Sequence, residues 1–323
     1  MSEKILLIDG HSILNRAFYG MPDLTNSQGQ HTGAVYGFLN IMFRILDEEK
    51  PQYLAVAFDL HAPTFRHKMY QEYKGTRKAM PQELREQVPV MKEVLQAMGI
   101  PVVSMEGYEA DDLLGTLGRQ GEEKGMDVTI LSGDRDLLQL ATDHILIRIP
   151  KTTKGQTVIE NYHTQEVIDK YQLTPSQIID LKALMGDSAD NIPGIPGVGE
   201  KTATKILLAF GTVENAYEHV EEVKPNKARE SLKNHYDLAQ LSKTLATIDT
   251  KSPVSFVFED ARVKDFYTPK AYEMFQKLEF KNLLGRFDCE TGEEELEKRF
   301  VFCQEFQEAE EIFEKAGKEK MIG

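Results

Sequence analysis

The sequence predicts an α/β fold centred on a parallel sheet, followed by a helical region. Three observations carry this. Four short apolar runs, KILLID (4–9), YLAVAFD (53–59), PVVSME (101–106) and DVTILSGD (127–134), have the continuous character of strands buried on both faces. Amphipathic stretches such as 34–46 and 84–98 separate them, as crossover helices do. Beyond residue 160 the pattern turns helical.

Taken in order, 34–46 places Val35, Phe38, Leu39, Met42 and Phe43 on one face at helical spacing. A weaker strand pair is expected at 144–150 and 157–160. TPSQIIDLKALMGD (174–187) opens with a Thr N-cap and a Pro at the first helical position. The Gly/Pro punctuation NIPGIPGVGEKT follows, then helices to about residue 245, an extended segment at 252–260 and a helix pair at 268–287. DCETGEEELEKR (288–299) reads as an acidic linker, and the apolar tail after it as the start of another domain. The chain therefore divides into 1–173, 174–287 and 288–323.

The 323 residues carry a net charge of -14, which argues against a broadly basic nucleic-acid binder. The charge is uneven, however: residues 288–319 hold twelve acids against four bases, so the remainder is far less acidic. The two cysteines, Cys289 and Cys303, have no zinc or disulfide spacing. MSEKILLIDG is no signal peptide and no apolar run is long enough to span a bilayer, so a cytoplasmic protein without membrane partners is expected.

The acids map onto the strand ends. Asp9 ends the first strand and Asp59 the second. Glu109, Asp111 and Asp112 in GYEADDLL follow the third, and Asp134 and Asp136 in SGDRD the fourth. Asp187 and Asp190 in MGDSADN lie just beyond a helix. Ligands of parallel sheets bind outside the carboxyl ends of the strands. Singly, each acid reads as a helix cap or a turn residue. Together, nine acids converging on one edge repel one another unless cations neutralise them. All-oxygen ligation selects Mg²⁺ or Mn²⁺ over Zn²⁺, and two such ions about 3.5–4 Å apart suit phosphodiester hydrolysis.

GIPGVGEKTATKIL (194–207) reads as a phosphate grip. Gly194, Gly197 and Gly199 open the backbone, a helix N-terminus follows, and Lys201 and Lys205 share one face. A Walker A loop fails by one residue, since Glu200 separates Gly199 from Lys201. A plain helix-turn-helix joint is the competing reading. In 65–85, Tyr70, Tyr73, Lys74 and Arg77 share a face at helical spacing. Such bases and aromatics suit single-stranded nucleic acid, or equally a solvated helix with Tyr packed inward.

DGHSILNRAFY, YKGTR, GYEADD, SGDRDLLQL, GDSADNIPGIPGVGEKTA and LEFKNLLGRF together resemble the 5′ nuclease (5′→3′ exonuclease) domain of bacterial DNA polymerase I, in the flap endonuclease superfamily. The resemblance spans roughly 4–288 and implies a PIN/FEN-like fold with a helical arch at about 62–85. It implies that all nine acids serve the metal site, with Glu109, Asp111, Asp134 and Asp136 in direct contact. Arg16 and Arg66 would lie near the scissile phosphate. Lys74, Arg77, Tyr70 and Tyr73 would lie in the arch, and Gly197, Gly199 and Lys201 in a helix–hairpin–helix able to hold K⁺. The expected substrates are DNA with 5′ single-strand/duplex junctions and RNA-primed ends, cut by a monomer with Mg²⁺. Two alternatives stand beside this: a nucleic-acid binding module without chemistry, and a small-molecule phosphatase.

Overall fold

Aliphatic side chains buried on both faces make the sheet: Ile5, Leu6, Leu7 and Ile8 are each 0% exposed, and Leu54, Val56, Ile130 and Leu131 are equally enclosed. The computed structural model describes residues 2–153 and 156–287; the acidic linker and tail expected at 288–323 lie outside the described residues. In chain order the sheet-bearing part comprises β1 (Lys4–Asp9), α1 (Gly10–Gly20), α2 (Gly33–Glu49), β2 (Tyr53–Ala57), α3 (Phe65–Met69), α4 (Gln82–Arg85), α5 (Gln87–Ala97), β3 (Val102–Val103), α6 (Ala110–Glu123), β4 (Asp127–Leu131), β5 (Ile145–Thr153) and β6 (Gln156–Tyr162). Helices α7 (Thr164–Tyr171), α8 (Gln177–Met185), α9 (Glu200–Phe210), α10 (Val213–Glu218), α11 (Asn226–Asn234), α12 (Tyr236–Ala246), α13 (Pro269–Lys277) and α14 (Lys281–Leu284) follow.

The sheet order is β3-β2-β1-β4-β5-β6. All neighbouring strands are parallel except the β5–β6 hairpin. The direction of winding reverses between β1 and β4, and that switch point is where an open sheet leaves a crevice beyond its carboxyl edge. On one face, Leu113, Leu114 and Leu117 of α6 pack on Ile130 and Ile147. The helical region has its own core, with Leu184, Ile195, Ile206, Leu207, Val213 and Leu232 at its centre.

Several elements differ from expectation. The third strand shrinks to Val102–Val103, because the chain turns at once towards α6. The helix expected over 84–98 is broken at Glu86 into α4 and α5. Helix α8 begins at Gln177 and not at Pro175, since the Thr174 backbone N–H donates to Gln177 Oε1 at 2.9 Å and closes a turn first. Segment 252–260 joins no ladder; it ends in a 3₁₀ turn, Phe258–Ala261, and meets the sheet through one isolated bridge, Tyr53 to Arg262.

The described residues fall into two compact units, which divide between Phe266 and Tyr267. Within the first unit, Tyr73 packs with Ile192, Leu245 and Ala246, which knits the sheet-bearing and helical parts together. In the second unit, Thr268 caps α13 ahead of Pro269, and Phe275 meets Phe280 and Phe287 edge to face. Among the described residues no helix is long and apolar enough to cross a membrane.

Gly10 begins α1 directly under the Phe58 ring, where a Cβ would lie 2.4–2.6 Å from three ring carbons. Only hydrogen fits while Phe58 stays in place. Gly10→Ala is therefore expected to cost about 1–3 kcal/mol of stability, read as a lower urea midpoint, whereas Gly20→Ala, with nothing within 4 Å, leaves the midpoint within error.

Candidate metal centre

The strand ends place the acids. Asp9 closes β1 and caps α1: Oδ1 accepts the Ser12 N–H at 3.0 Å and Oδ2 accepts the Ser132 hydroxyl at 2.7 Å. Asp59 lies two residues past β2, and its Oδ1 accepts the Ala110 N–H at 2.8 Å, at the start of α6. Asp111 stands on the first turn of α6. Past β4 the chain bends on its own side chains, with Asp134 N–H donating to Ser132 Oγ (3.0 Å) and Asp136 N–H to Asp134 Oδ1 (2.9 Å).

Asp9, Asp59, Asp111 and Asp134 thereby line one cleft of about 1200 Å³, together with Arg16, Lys74, Arg77, Arg85 and Lys92. An adjoining pocket of about 450 Å³ shares Ser12, Gly133 and Asp134 and adds Asp136, Lys182 and Asp187. Asp187 is fixed by a loop in which its backbone exchanges bonds with Ile192 at 2.9 and 2.8 Å. Gly194 lets that loop close: at φ +61° its backbone lies against Gly186, where a Cβ would sit 2.2 Å from the Gly186 nitrogen.

The other three acids are internal. Asp112, 0% exposed, receives both guanidinium nitrogens of Arg66 at 2.8 and 2.7 Å. Glu109 accepts from Lys74 Nζ at 2.8 Å, Tyr73 Oη at 3.1 Å and Arg66 at 3.4 Å. Asp190 accepts from Arg77 and from Tyr73 Oη. Glu109, expected as a direct ligand, therefore spends its oxygens on neighbouring side chains. Arg66, expected near the scissile phosphate, is 2% exposed, and its remaining donors reach the carbonyls of Leu245 (3.0 Å) and Thr247 (2.7 Å). It is a buried clamp. Arg16, in contrast, does line the cleft.

The expected helical face of Tyr70, Tyr73, Lys74 and Arg77 does not form. Helix α3 stops at Met69, and Lys74 takes a left-handed φ of 55°. The turn docks instead on the Asp187–Ile192 loop: Lys74 N–H donates to Asp190 O at 2.8 Å, and Asn191 Nδ2 to Glu72 O at 2.7 Å. Tyr73 is 3% exposed, so it offers no face to a base; Tyr70 is half-buried with its hydroxyl on Glu72. Gly75 was the available signal, being a poor residue for a helix interior. The glycine loop keeps its expected form: Gly197 has φ +76°, Gly199 caps the eleven-residue α9, and Lys201 and Lys205 are exposed on it.

Burial, with repulsion between neighbouring carboxylates added to it, raises three of the lining acids. Burial, with Asp59 and Asp134 adding to it, pushes Asp9 up to about 6. Burial beside Asp134 and Asp9 holds Asp111 well above the carboxylate range. Burial beside Asp134 takes Asp136 to about 7 despite Lys182. Asp59 goes the other way: burial is outweighed by contact with His11 and the Ala110 N–H, and it falls to about 2. Asp187 is likewise held low, as Lys182 overcomes its burial. Among the described residues no three His, Cys, Asp or Glu side chains stand ready-made around one point. The donor set nevertheless fits a hard divalent cation: the lining acids are all oxygen donors and lack sufficient positive charge. Sequence reasoning missed Lys182 and Lys92; Lys182, in KALMGD, precedes Asp187 by five residues, a spacing that no helical pairing rule flags.

A model of the family described as 5'-3' exonuclease, N-terminal resolvase-like domain, matches residues 4–172, and one described as 5'-3' exonuclease, C-terminal SAM fold, matches 173–269. The chain is 48% identical over 295 residues to DNA polymerase I of Bacillus caldotenax, covering 91% of this chain and 33% of that protein. It is 46% identical over 293 residues to the Bacillus subtilis enzyme, with the same coverage. It thus spans about a third of the length of the curated relatives it matches. In fold it resembles the bacteriophage T5 D15 protein co-crystallised with metal ions (TM-score 0.63, 21% identity, 88% of this chain and 97% of that one). It also resembles the catalytic core of Rad2 in complex with a DNA substrate (TM-score 0.54, 15% identity, 88% of each).

Two outcomes follow from the geometry. Arg66→Ala leaves Asp112 charged and enclosed, and is expected to cost about 3–5 kcal/mol in urea unfolding. Asp111→Asn removes a repelled charge. Because the folded protein holds Asp111 above its ordinary value, the penalty is absent only well below pH 3.8, where folded and unfolded chains are both protonated, and grows as pH rises through that value towards the folded one. The metal-free variant should therefore melt several degrees higher than the parent at pH 8, and this advantage should shrink steadily as the pH is lowered towards 4, by scanning calorimetry.

Proposed function

This chain belongs to the 5'-3' exonuclease family, and from that premise we propose that it is a metal-dependent, structure-specific 5′ nuclease. The observation that carries the proposal is the meeting of Asp9, Asp59, Asp111 and Asp134, from four strand ends, on one cleft. A pair of Mg²⁺ ions, for which Mn²⁺ substitutes, would bind between these carboxylates and the Asp134, Asp136 and Asp187 set. Such ions supply a water of lowered pKa and neutralise the scissile phosphate. Glu109, Asp112 and Asp190 hold the surrounding cations in place. Arg16, Arg85 and Lys92 on the cleft wall attract the phosphate backbone.

The substrate is DNA with a 5′ single-strand/duplex junction: flaps, nicks and RNA-primed ends, cut to a 5′-phosphate and a 3′-hydroxyl. Gly197, Gly199, Lys201 and Lys205 hold the duplex by its phosphates without reading base sequence, and the loop is the place for a K⁺ ion. Lys74 and Arg77, at the cleft, stand where the single strand leaves. The reaction fits lagging-strand primer removal and repair in the cytoplasm, by a monomeric domain of a DNA polymerase I.

The test is cleavage of a labelled 5′-flap duplex with Mg²⁺ and with EDTA, by the parent and by Asp134→Asn. Cleavage should need the ion and fall at least about a hundredfold in the variant, while flap affinity measured in Ca²⁺ stays within twofold or so. Undiminished cleavage by Asp134→Asn, or cleavage in EDTA, contradicts the reading.

A further inference from the structure

Four cations sit among the acids, and they do not play the same part. Arg66, Lys74 and Arg77 bond to Asp112, Glu109 and Asp190, none of which lines the cleft or its adjoining pocket. Lys182 bonds to Asp136 and Asp187, both of which line the pocket together with Asp134. Its ammonium comes from α8 in the helical region and reaches across to the loop after β4. The three side chains are enclosed, with Lys182 and Asp136 each 14% exposed and Asp187 19%.

The oxygen of Asp187 that Lys182 holds is the one left for a ligand. Asp187 Oδ1 accepts the Ala189 N–H at 2.8 Å, and Oδ2 takes the ammonium at 2.5 Å. A divalent ion shared by Asp136 and Asp187 would have to stand within about 2.1 Å of the same oxygens, in the space the ammonium fills. Lysine is a compact charge on a flexible four-carbon stem, able to leave while its helix stays put.

We propose that Lys182 is a built-in counterion that competes with the second divalent ion for Asp136 and Asp187, so that uptake of this ion displaces the ammonium. Unfilled, the pocket keeps two carboxylates apart from each other's repulsion and ties α8 to the sheet edge. Filled, it releases Lys182. The first ion site, among Asp9, Asp59, Asp111 and Asp134, is faced by His11, 3.4 Å from Asp59, rather than by a lysine held between two carboxylates, so the two sites differ in affinity. This rests on the two-ion reading above.

The experiment is a calorimetric titration of the full chain with Mn²⁺, for the parent, Lys182→Met and Lys182→Arg. Lys182→Met should tighten the weaker site about tenfold or more, leave the tighter site within about twofold, and lower the melting temperature of the metal-free protein. Lys182→Arg keeps the charge and should not tighten the weaker site. In the parent alone, amine-reactive labelling of Lys182, followed by peptide mass spectrometry, should rise as the weaker site fills. A purely structural lysine lowers the melting temperature in Lys182→Met but moves neither the weaker site nor the labelling. Unchanged or weakened second-site affinity, or labelling that stays flat through the titration, overturns the proposal even if Lys182→Met fails to fold. Parent protein that takes up no Mn²⁺ at all overturns the two-ion reading itself.

Discussion

Two carboxylates about 4 Å apart repel by about 4 kcal/mol at the effective dielectric of a protein surface, and in this chain six acids line one cleft and its adjoining pocket while three more, Glu109, Asp112 and Asp190, are buried. The fold meets that cost in two ways. Glu109, Asp112 and Asp190 are paired internally with Lys74, Arg66 and Arg77. Asp9, Asp111 and Asp136 remain crowded and are pushed towards the protonated form. The first group builds a rigid wall. The second holds unspent affinity for a cation, because a bound ion relieves repulsion that the metal-free protein carries.

The pairing also explains why the basic stretch after α3 lies down on the protein. A helix over Tyr70–Arg77 would carry its cations into solvent and leave Glu109 and Asp190 buried and uncompensated, which costs more than the helix returns. The turn brings Lys74 to Glu109 and Arg77 to Asp190, and the single hydroxyl proton of buried Tyr73 is shared between the two acids, at the expense of one left-handed residue. Because the same turn bonds to Asp190 O and receives the Asn191 side chain, the loop bearing Asp187 and Asp190 is held by the segment it faces. One network thus joins the sheet-bearing and helical parts, and both contribute side chains to the pocket.

What the sequence made legible follows from the range of the interactions involved. The strand of KILLID and the face of Val35–Phe43 are written in local periodicity and form as read, and that of DVTILSGD forms over Asp127–Leu131. The placing of Asp9, Asp59, Asp111 and Asp134 on one edge follows from topology alone, because every acid at the carboxyl end of a parallel strand reaches the same side. The sorting of the acids was not legible. Whether Glu109 faces the cleft or Lys74 depends on a contact across 35 residues. The fate of Arg66 depends on carbonyls 179 and 181 residues away. Spacing rules see neither. The loss of the helix at Tyr73 had a local sign in Gly75, but its causes are distant: the pairing of Lys74 and Arg77 with Glu109 and Asp190, and the apolar cluster around Tyr73.

The charge of the whole chain is a poor guide for the same reason. A net charge of -14 suggests repulsion from DNA, yet fields that act on a ligand in a cleft are set within about a Debye length, roughly 8 Å in physiological salt. The cleft is lined both by carboxylates and by Arg85 and Lys92, from α4 and α5. A phosphate backbone entering this space meets cations directly, and meets the carboxylates through whatever ions they hold. Carboxylates that repel DNA when bare become attractive to it once divalent ions overcompensate them. On the reading proposed above, metal uptake and DNA binding would be two aspects of one electrostatic balance, and an acidic protein is no worse placed than a basic one to strike it.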